Sequence, residues 1–137
     1  MGSRELTRLL LDTHVWLWSL LEPERLPSAL RSALVEDDAQ LWLSPVSVWE
    51  TLTLAERGRL RLEPDPTAWI HQALAAAPIE HAPVTMEVAM ATTSVKLPHR
   101  DPADRLLVAT AKVFDLTLVT ADRRLIEARQ VPTLAGG

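Results

Sequence analysis

Short apolar runs alternate with amphipathic stretches along most of this chain. Leu9 to Leu11 is an unbroken apolar triplet, too short for a helical stripe, and reads as a buried strand. Thr13 to Leu21 follows as a helix, then Glu-Pro-Glu-Arg-Leu-Pro as a turn. Ser28 to Asp37 reads as a second helix with Leu30, Ala33 and Leu34 on one face, and Leu41 to Leu43 as a second strand. Ser44 and Pro45 make a strong helix opening, a capping hydroxyl followed by proline in the first turn. That helix is expected to turn Val46, Trp49, Leu52 and Ala55 inward and to stop at Gly58. Pro64 and Pro66 bracket a turn before a helix over Thr67 to Ala77.

The second half repeats the pattern. Ile79 to Val84 includes a short strand, and a helix runs from Thr85 to about Val95. Leu97 to Arg100 is a loop, after which Asp101-Pro102 opens a helix to about Phe114, with Leu106, Leu107, Ala109, Thr110 and Val113 available to a core. Leu116 to Thr120 is the clearest strand, Asp122 opens a last helix, and Val131 to Leu134 is an edge strand in which Pro132 removes one ladder donor. Strands alternating with helices predict an α/β fold with a parallel sheet covered on both faces. The 137 residues make one domain, spanning 9–135. Residues 1–8 precede it as an N-terminal extension, in which Met1–Ser3 is either native or a cloning remnant.

On this frame four carboxylates take corresponding places. Asp12, Asp104 and Asp122 stand where helices open, Asp12 and Asp122 just after strands, and Glu50 lies within the helix that follows the second strand. The carboxyl ends of parallel strands converge on one crevice. Acids gathered there repel one another unless a cation holds them together, and all-oxygen ligands suit Mg²⁺ or Mn²⁺. Each acid has a plainer explanation when taken alone. Asp12 and Asp122 are in place to cap helices, Asp101 and Asp104 resemble a capping box, and Glu50 suits a solvent-facing position. The set, more than any member, carries the argument.

Charge and composition adjust this picture only slightly. A net charge of −4 looks unsuited to a phosphate-bearing partner, yet two divalent ions would bring it to zero, and twelve of the fourteen basic residues are Arg. Those arginines cluster at Arg57, Arg59 and Arg61, at Arg100 and Arg105 beside His99, and at Arg123 and Arg124. The absence of cysteine excludes disulfides, zinc–thiolate sites and iron–sulfur clusters. The four histidines lack zinc-ligand spacing, and the five tryptophans suit core or interface better than base stacking. The polar start and the lack of any apolar run near ~20 residues lead to an expectation of a soluble, cytoplasmic protein with no membrane segment.

The words around the acids add a further reading. Asp-Thr-His-Val-Trp-Leu-Trp (12–18), Ser-Val-Trp-Glu (47–50), Gly-Arg-Leu (58–60), His-Arg-Asp-Pro-Ala-Asp-Arg-Leu-Leu-Val-Ala-Thr-Ala (99–111) and Leu-Val-Thr-Ala-Asp (118–122), in this order, resemble PIN-domain proteins. More narrowly they resemble the VapC toxins of bacterial toxin–antitoxin pairs. The resemblance implies a three-layer α/β/α fold around a short parallel sheet, and a metal-dependent endoribonuclease that arrests translation by cutting a structured RNA, a tRNA or ribosomal RNA. It implies Asp12, Glu50, Asp104 and Asp122 as an acidic quartet around one or two Mg²⁺ or Mn²⁺ ions, with Asp12, Asp104 and Asp122 as direct ligands. Asp101, Thr120 and Thr13 are supporting residues, Asp101 through helix capping and pairing with a nearby Arg. Arg100, Arg105 and Arg123 are candidate RNA contacts. A cognate VapB-like antitoxin and a homodimer are implied as well. One departure is the helix after Glu50, where relatives often carry a base and this chain has Thr-Leu-Thr-Leu.

Two readings of other classes compete. A receiver-like signalling domain also gathers acids at strand ends but needs a Lys after a late strand, and neither Lys96 nor Lys112 follows one. A catalytically silent module that only binds an antitoxin is disfavoured by the complete acid set. The four glycines, at 2, 58, 136 and 137, offer no phosphate-cradling loop.

Overall fold

The computed structural model describes residues 5–135, so Met1–Ser3 lies outside the described residues. Five parallel strands, β1 (Thr7–Leu11), β2 (Ala39–Leu43), β3 (Glu80–His81), β4 (Thr117–Val119) and β5 (Thr133–Leu134), form one sheet in the order β3-β2-β1-β4-β5. The chain moves outward from β1 to β2 and β3, then returns to place β4 on the other side of β1. The reversal leaves a crevice between the carboxyl ends of β1 and β4, the place where open α/β sheets bind ligands.

Seven helices cover the sheet: α1 (Thr13–Leu21), α2 (Ser28–Leu34), α3 (Pro45–Glu56), α4 (Pro66–Ala76), α5 (Met86–Ala91), α6 (Pro102–Phe114) and α7 (Arg123–Ala128). The period of two along β1 assigns its side chains to the two faces. Leu9 and Leu11, with Val119, pack beneath Val15, Trp16, Leu17 and Leu30, and Trp69 meets Trp16 edge-on at 5.7 Å between ring centroids. Leu10 and Leu118 pack on the opposite face against Val88, Val108, Ala109 and Leu125. This is the expected α/β/α layering.

The differences from expectation have local causes. The helix from Ser28 ends at Leu34, ahead of an acidic turn, and the α4 helix takes Pro66 as its first residue under an Asp65 cap. The helix from Thr85 breaks at Thr92–Ser94 into a 3₁₀ turn. There the Thr92, Thr93 and Ser94 hydroxyls donate to the carbonyls of Ala89, Met90 and Ala91, an alternative to the α-helical pattern. Gly58 closes α3 as expected, at φ +71°, a left-handed conformation that glycine adopts without strain. Trp49 is not inward: it is 59% exposed, while Val46, Ser47 and Thr51 are buried. The buried face of α3 is partly polar because it meets the Thr13 hydroxyl of α1. The apolar stripe through Trp49 therefore predicts the wrong side.

Candidate metal centre

The carboxyl ends of β1 and β4, the starts of α1, α6 and α7 and the middle of α3 enclose a cavity of about 320 Å³ lined by Asp12, Glu50, Asp101, Asp104 and Asp122, together with His14, Val15, Trp18, Ala121 and Arg124. All four members of the predicted quartet reach it, from four different elements.

Asp12 follows β1 directly, and its backbone N–H donates to Val119 of β4 at 3.0 Å, which ties the two strand ends together. Its side chain, 8% exposed, accepts a hydrogen bond from the fully buried Thr120 hydroxyl at 2.8 Å. The same hydroxyl accepts the Asp122 backbone N–H at 3.0 Å, so Thr120 couples the two acids that flank the crevice. Burial, and then the charge of Asp104, raise the Asp12 pKa above the usual carboxylate range against the opposing Thr120 bond.

Glu50 enters from α3 and accepts a short hydrogen bond from the Thr13 hydroxyl. Thr13 has only one hydroxyl proton, so Ser47, 2.9 Å away, is the donor in its contact with Thr13. Burial is the main cause pushing the Glu50 pKa up to about 7, reinforced by the charges of Asp12, Asp101 and Asp104.

Asp104 sits in the first turn of α6. Asp101 caps that helix, accepting from the backbone of Ala103 at 2.9 Å and of Asp104 at 3.4 Å. The Asp104 carboxylate meets His99 Nε2 at 2.8 Å, and burial raises its pKa, aided by Asp101 and Asp122. Asp122 caps α7 and is gripped by the Arg124 guanidinium at 3.2 and 2.9 Å, which lowers its pKa.

Each quartet carboxylate thus has a protein partner: Thr120, Thr13, His99 or Arg124. Among the described residues no three His, Asp or Glu side chains close on one point as a ready chelate. The donor set nonetheless suits a hard cation: oxygen ligands alone, and three carboxyls whose pKa values rise through burial and one another's charge.

The predicted supporting residues divide. Thr13 and Thr120 bond site acids, and Asp101 caps α6, although among the described residues no Arg pairs with it. Arg105 does not reach the cavity. Its Nη1 donates to the carbonyls of Thr92 and Val95 at 3.1 and 2.8 Å, clamping the segment before α6. Arg100 is exposed and does not line the cavity, and Arg123 lies outside it, 3.6 Å from Glu127. The cation that does line it is Arg124, next to the Arg123 proposed from sequence; the phase of α7 around its Asp122 cap was the available signal. Sequence reasoning also misses His99 as the partner of Asp104 and Ser47 as the partner of Thr13. Neither lysine lines the cavity, so the receiver-like reading lacks its required group.

The family model for the PIN domain matches residues 9–131. Ribonuclease VapC22 of Mycobacterium tuberculosis is 39% identical over 124 residues, which covers 88% of this chain and 91% of that protein. VapBC2 from Rickettsia felis, bound to a promoter DNA fragment, has a similar fold with a TM-score of 0.72 at 11% identity, covering 96% of this chain and 100% of the other. DNA-bound VapBC from Salmonella typhimurium gives the same TM-score and coverage at 17% identity.

Proposed function

The chain belongs to the PIN-domain family, and on that premise we propose that it is a VapC-like toxin, an endoribonuclease dependent on Mg²⁺ or Mn²⁺ and neutralised by a cognate VapB-like antitoxin. The observation that carries this reading is the convergence of Asp12, Glu50, Asp104 and Asp122 on one cavity at the β1/β4 crevice. The 39% identity to a named ribonuclease across most of both chains supports the same activity.

Asp12, Asp104 and Asp122 would hold one or two cations, with Glu50 binding through water or serving as base. A divalent cation held there would supply a lowered water pKa and charge to offset a phosphodiester. The chain's own groups prepare that chemistry. Thr120 fixes Asp12 and the Asp122 backbone together at the crevice. The Thr13 hydroxyl holds the Glu50 carboxylate at the cavity, within reach of a water bound there. Arg124 supplies positive charge at the rim.

The antitoxin would lay an apolar helix into a second cavity of about 290 Å³, between α1 and the end of α3. Leu17, Trp18, Leu21, Leu54 and Leu60 form its apolar lining, with Arg25 and Arg59 alongside. His14 and Trp18 border both cavities, so a segment leaving this groove would pass directly over the acids. The RNA is proposed to be a tRNA or ribosomal RNA, cut by a homodimer. Asp104→Asn should lose metal affinity and cleavage together; full cleavage by that variant would contradict the assignment.

A further inference from the structure

The loop before α6 is held from several directions. Arg105 ties its start to α6 through the Thr92 and Val95 carbonyls. The Lys96 backbone donates to Gln130 at 3.1 Å, and Asp101 caps the helix that follows. His99 lies within this braced segment and turns its Nε2 back to Asp104 Oδ2 at 2.8 Å, with only 14% of its side chain exposed. An ionised carboxylate only accepts hydrogen bonds, so Nε2 carries the proton of that contact.

The other ring nitrogen gives the decisive detail. His99 Nδ1 is buried and has no hydrogen-bond partner among the described residues. A buried polar atom without a partner reduces stability, and an apolar ring filling the same space would avoid that loss. As a packing residue, imidazole is therefore a poor choice at this position; its other nitrogen bonds a carboxylate of the site. Carboxylates that bind cations commonly depend on such outer hydrogen bonds for their orientation.

We propose that His99 is a positioning residue for the metal centre, holding Asp104 by Oδ2 so that Oδ1 is presented to the cavity. This rests on the reading of Asp104 as a metal ligand. It also gives a joint mechanical role to the word His-Arg-Asp-Pro-Ala-Asp-Arg: Arg105 and Asp101 fix the loop and helix, and His99 fixes the acid.

The test is Mn²⁺ binding by calorimetry to the full chain, with thermal unfolding in EDTA measured on the same samples. His99→Phe deletes the bond to Asp104 and should lower stability, yet under conditions where it is fully folded it should bind Mn²⁺ about ten-fold or more weakly. His99→Gln, which restores a donor near the Nε2 position, should recover most of that loss. A residue needed only for structure would lower stability in His99→Phe but leave the Mn²⁺ affinity of the folded protein unchanged. Weak binding by Asp104→Asn together with wild-type affinity in His99→Phe would overturn the role of His99 alone. Failure of wild type to bind Mn²⁺, or undiminished binding by Asp104→Asn, would overturn the reading of the site and the role of His99 with it.

Discussion

Replacing Thr120 by Val removes one hydroxyl from the centre of the site while keeping the shape of the side chain. That hydroxyl donates to Asp12 Oδ2 at 2.8 Å and accepts from the Asp122 backbone at 3.0 Å, and Thr120 is fully buried. A hydrogen bond to a charged group contributes about 1.5–3 kcal/mol, and the freed Asp122 N–H adds a smaller loss because water can reach it. Protonation of Asp12, whose pKa burial already raises, limits the total. The expected cost is about 2–3 kcal/mol, which for a domain of this size lowers the melting temperature by roughly 6–10 °C. Thr110 provides the control. It is equally buried, but its hydroxyl donates to the Leu106 carbonyl of its own helix at 2.7 Å, so Thr110→Val should cost less than about 1 kcal/mol. Denaturant unfolding of both variants in EDTA at pH 7.5 makes the comparison. Equal losses in the two would refute the idea that Thr120 links the two acids across the crevice.

Arg105→Ala should destabilise by about 2 kcal/mol through loss of its two carbonyl bonds, with RNA affinity unchanged under conditions where the variant is folded, as gel-shift titration would check. Trp49→Gln should shift stability by less than about 1 kcal/mol, measured by denaturant titration, because the ring is mostly in water. For Glu50, a folded pKa of about 7 against an ordinary value of 4.5 means that the metal-free folded state holds the proton more tightly than the unfolded chain. Its stabilising contribution is complete below pH 4.5 and is lost as pH rises through about 7. Partial exposure limits it to on the order of 1 kcal/mol. Unfolding in EDTA at pH 5 and pH 8 should show this fall in wild type, and a smaller one in Glu50→Gln.

The sheet and the acids were legible for a simple reason: three-residue apolar runs ending in Asp or Thr leave little choice of where a buried strand stops. Asp12 follows such a run directly and Asp122 comes two residues after Thr120, and the Asp101-Pro102 opening fixes Asp104 in the first turn of its helix. Glu50 was harder. Ser47, Glu50 and Leu54 fall on one face of α3, and it is the company of the other three acids, not periodicity, that brings Glu50 into the expected quartet. The hydrophobic stripe through Trp49 points to the other side, because the burial of Ser47 depends on a partner that periodicity does not reveal, the Thr13 hydroxyl of α1. The arginines show the same limit. Arg105 looks free for phosphate until the fold brings two carbonyls to it, whereas Arg124 is set on the cavity by the Asp122 cap. Local pattern finds groups at element ends; side chains whose partners are distant backbone atoms become visible only with the fold.

The central claim is that these acids form the cation site of a ribonuclease. Its most direct test is incubation of purified wild type and Asp12→Asn with total RNA, in Mg²⁺ or Mn²⁺ and in EDTA. The account predicts discrete cuts that require the metal and are absent with Asp12→Asn. Cuts that persist in EDTA, or in the variant, would contradict it.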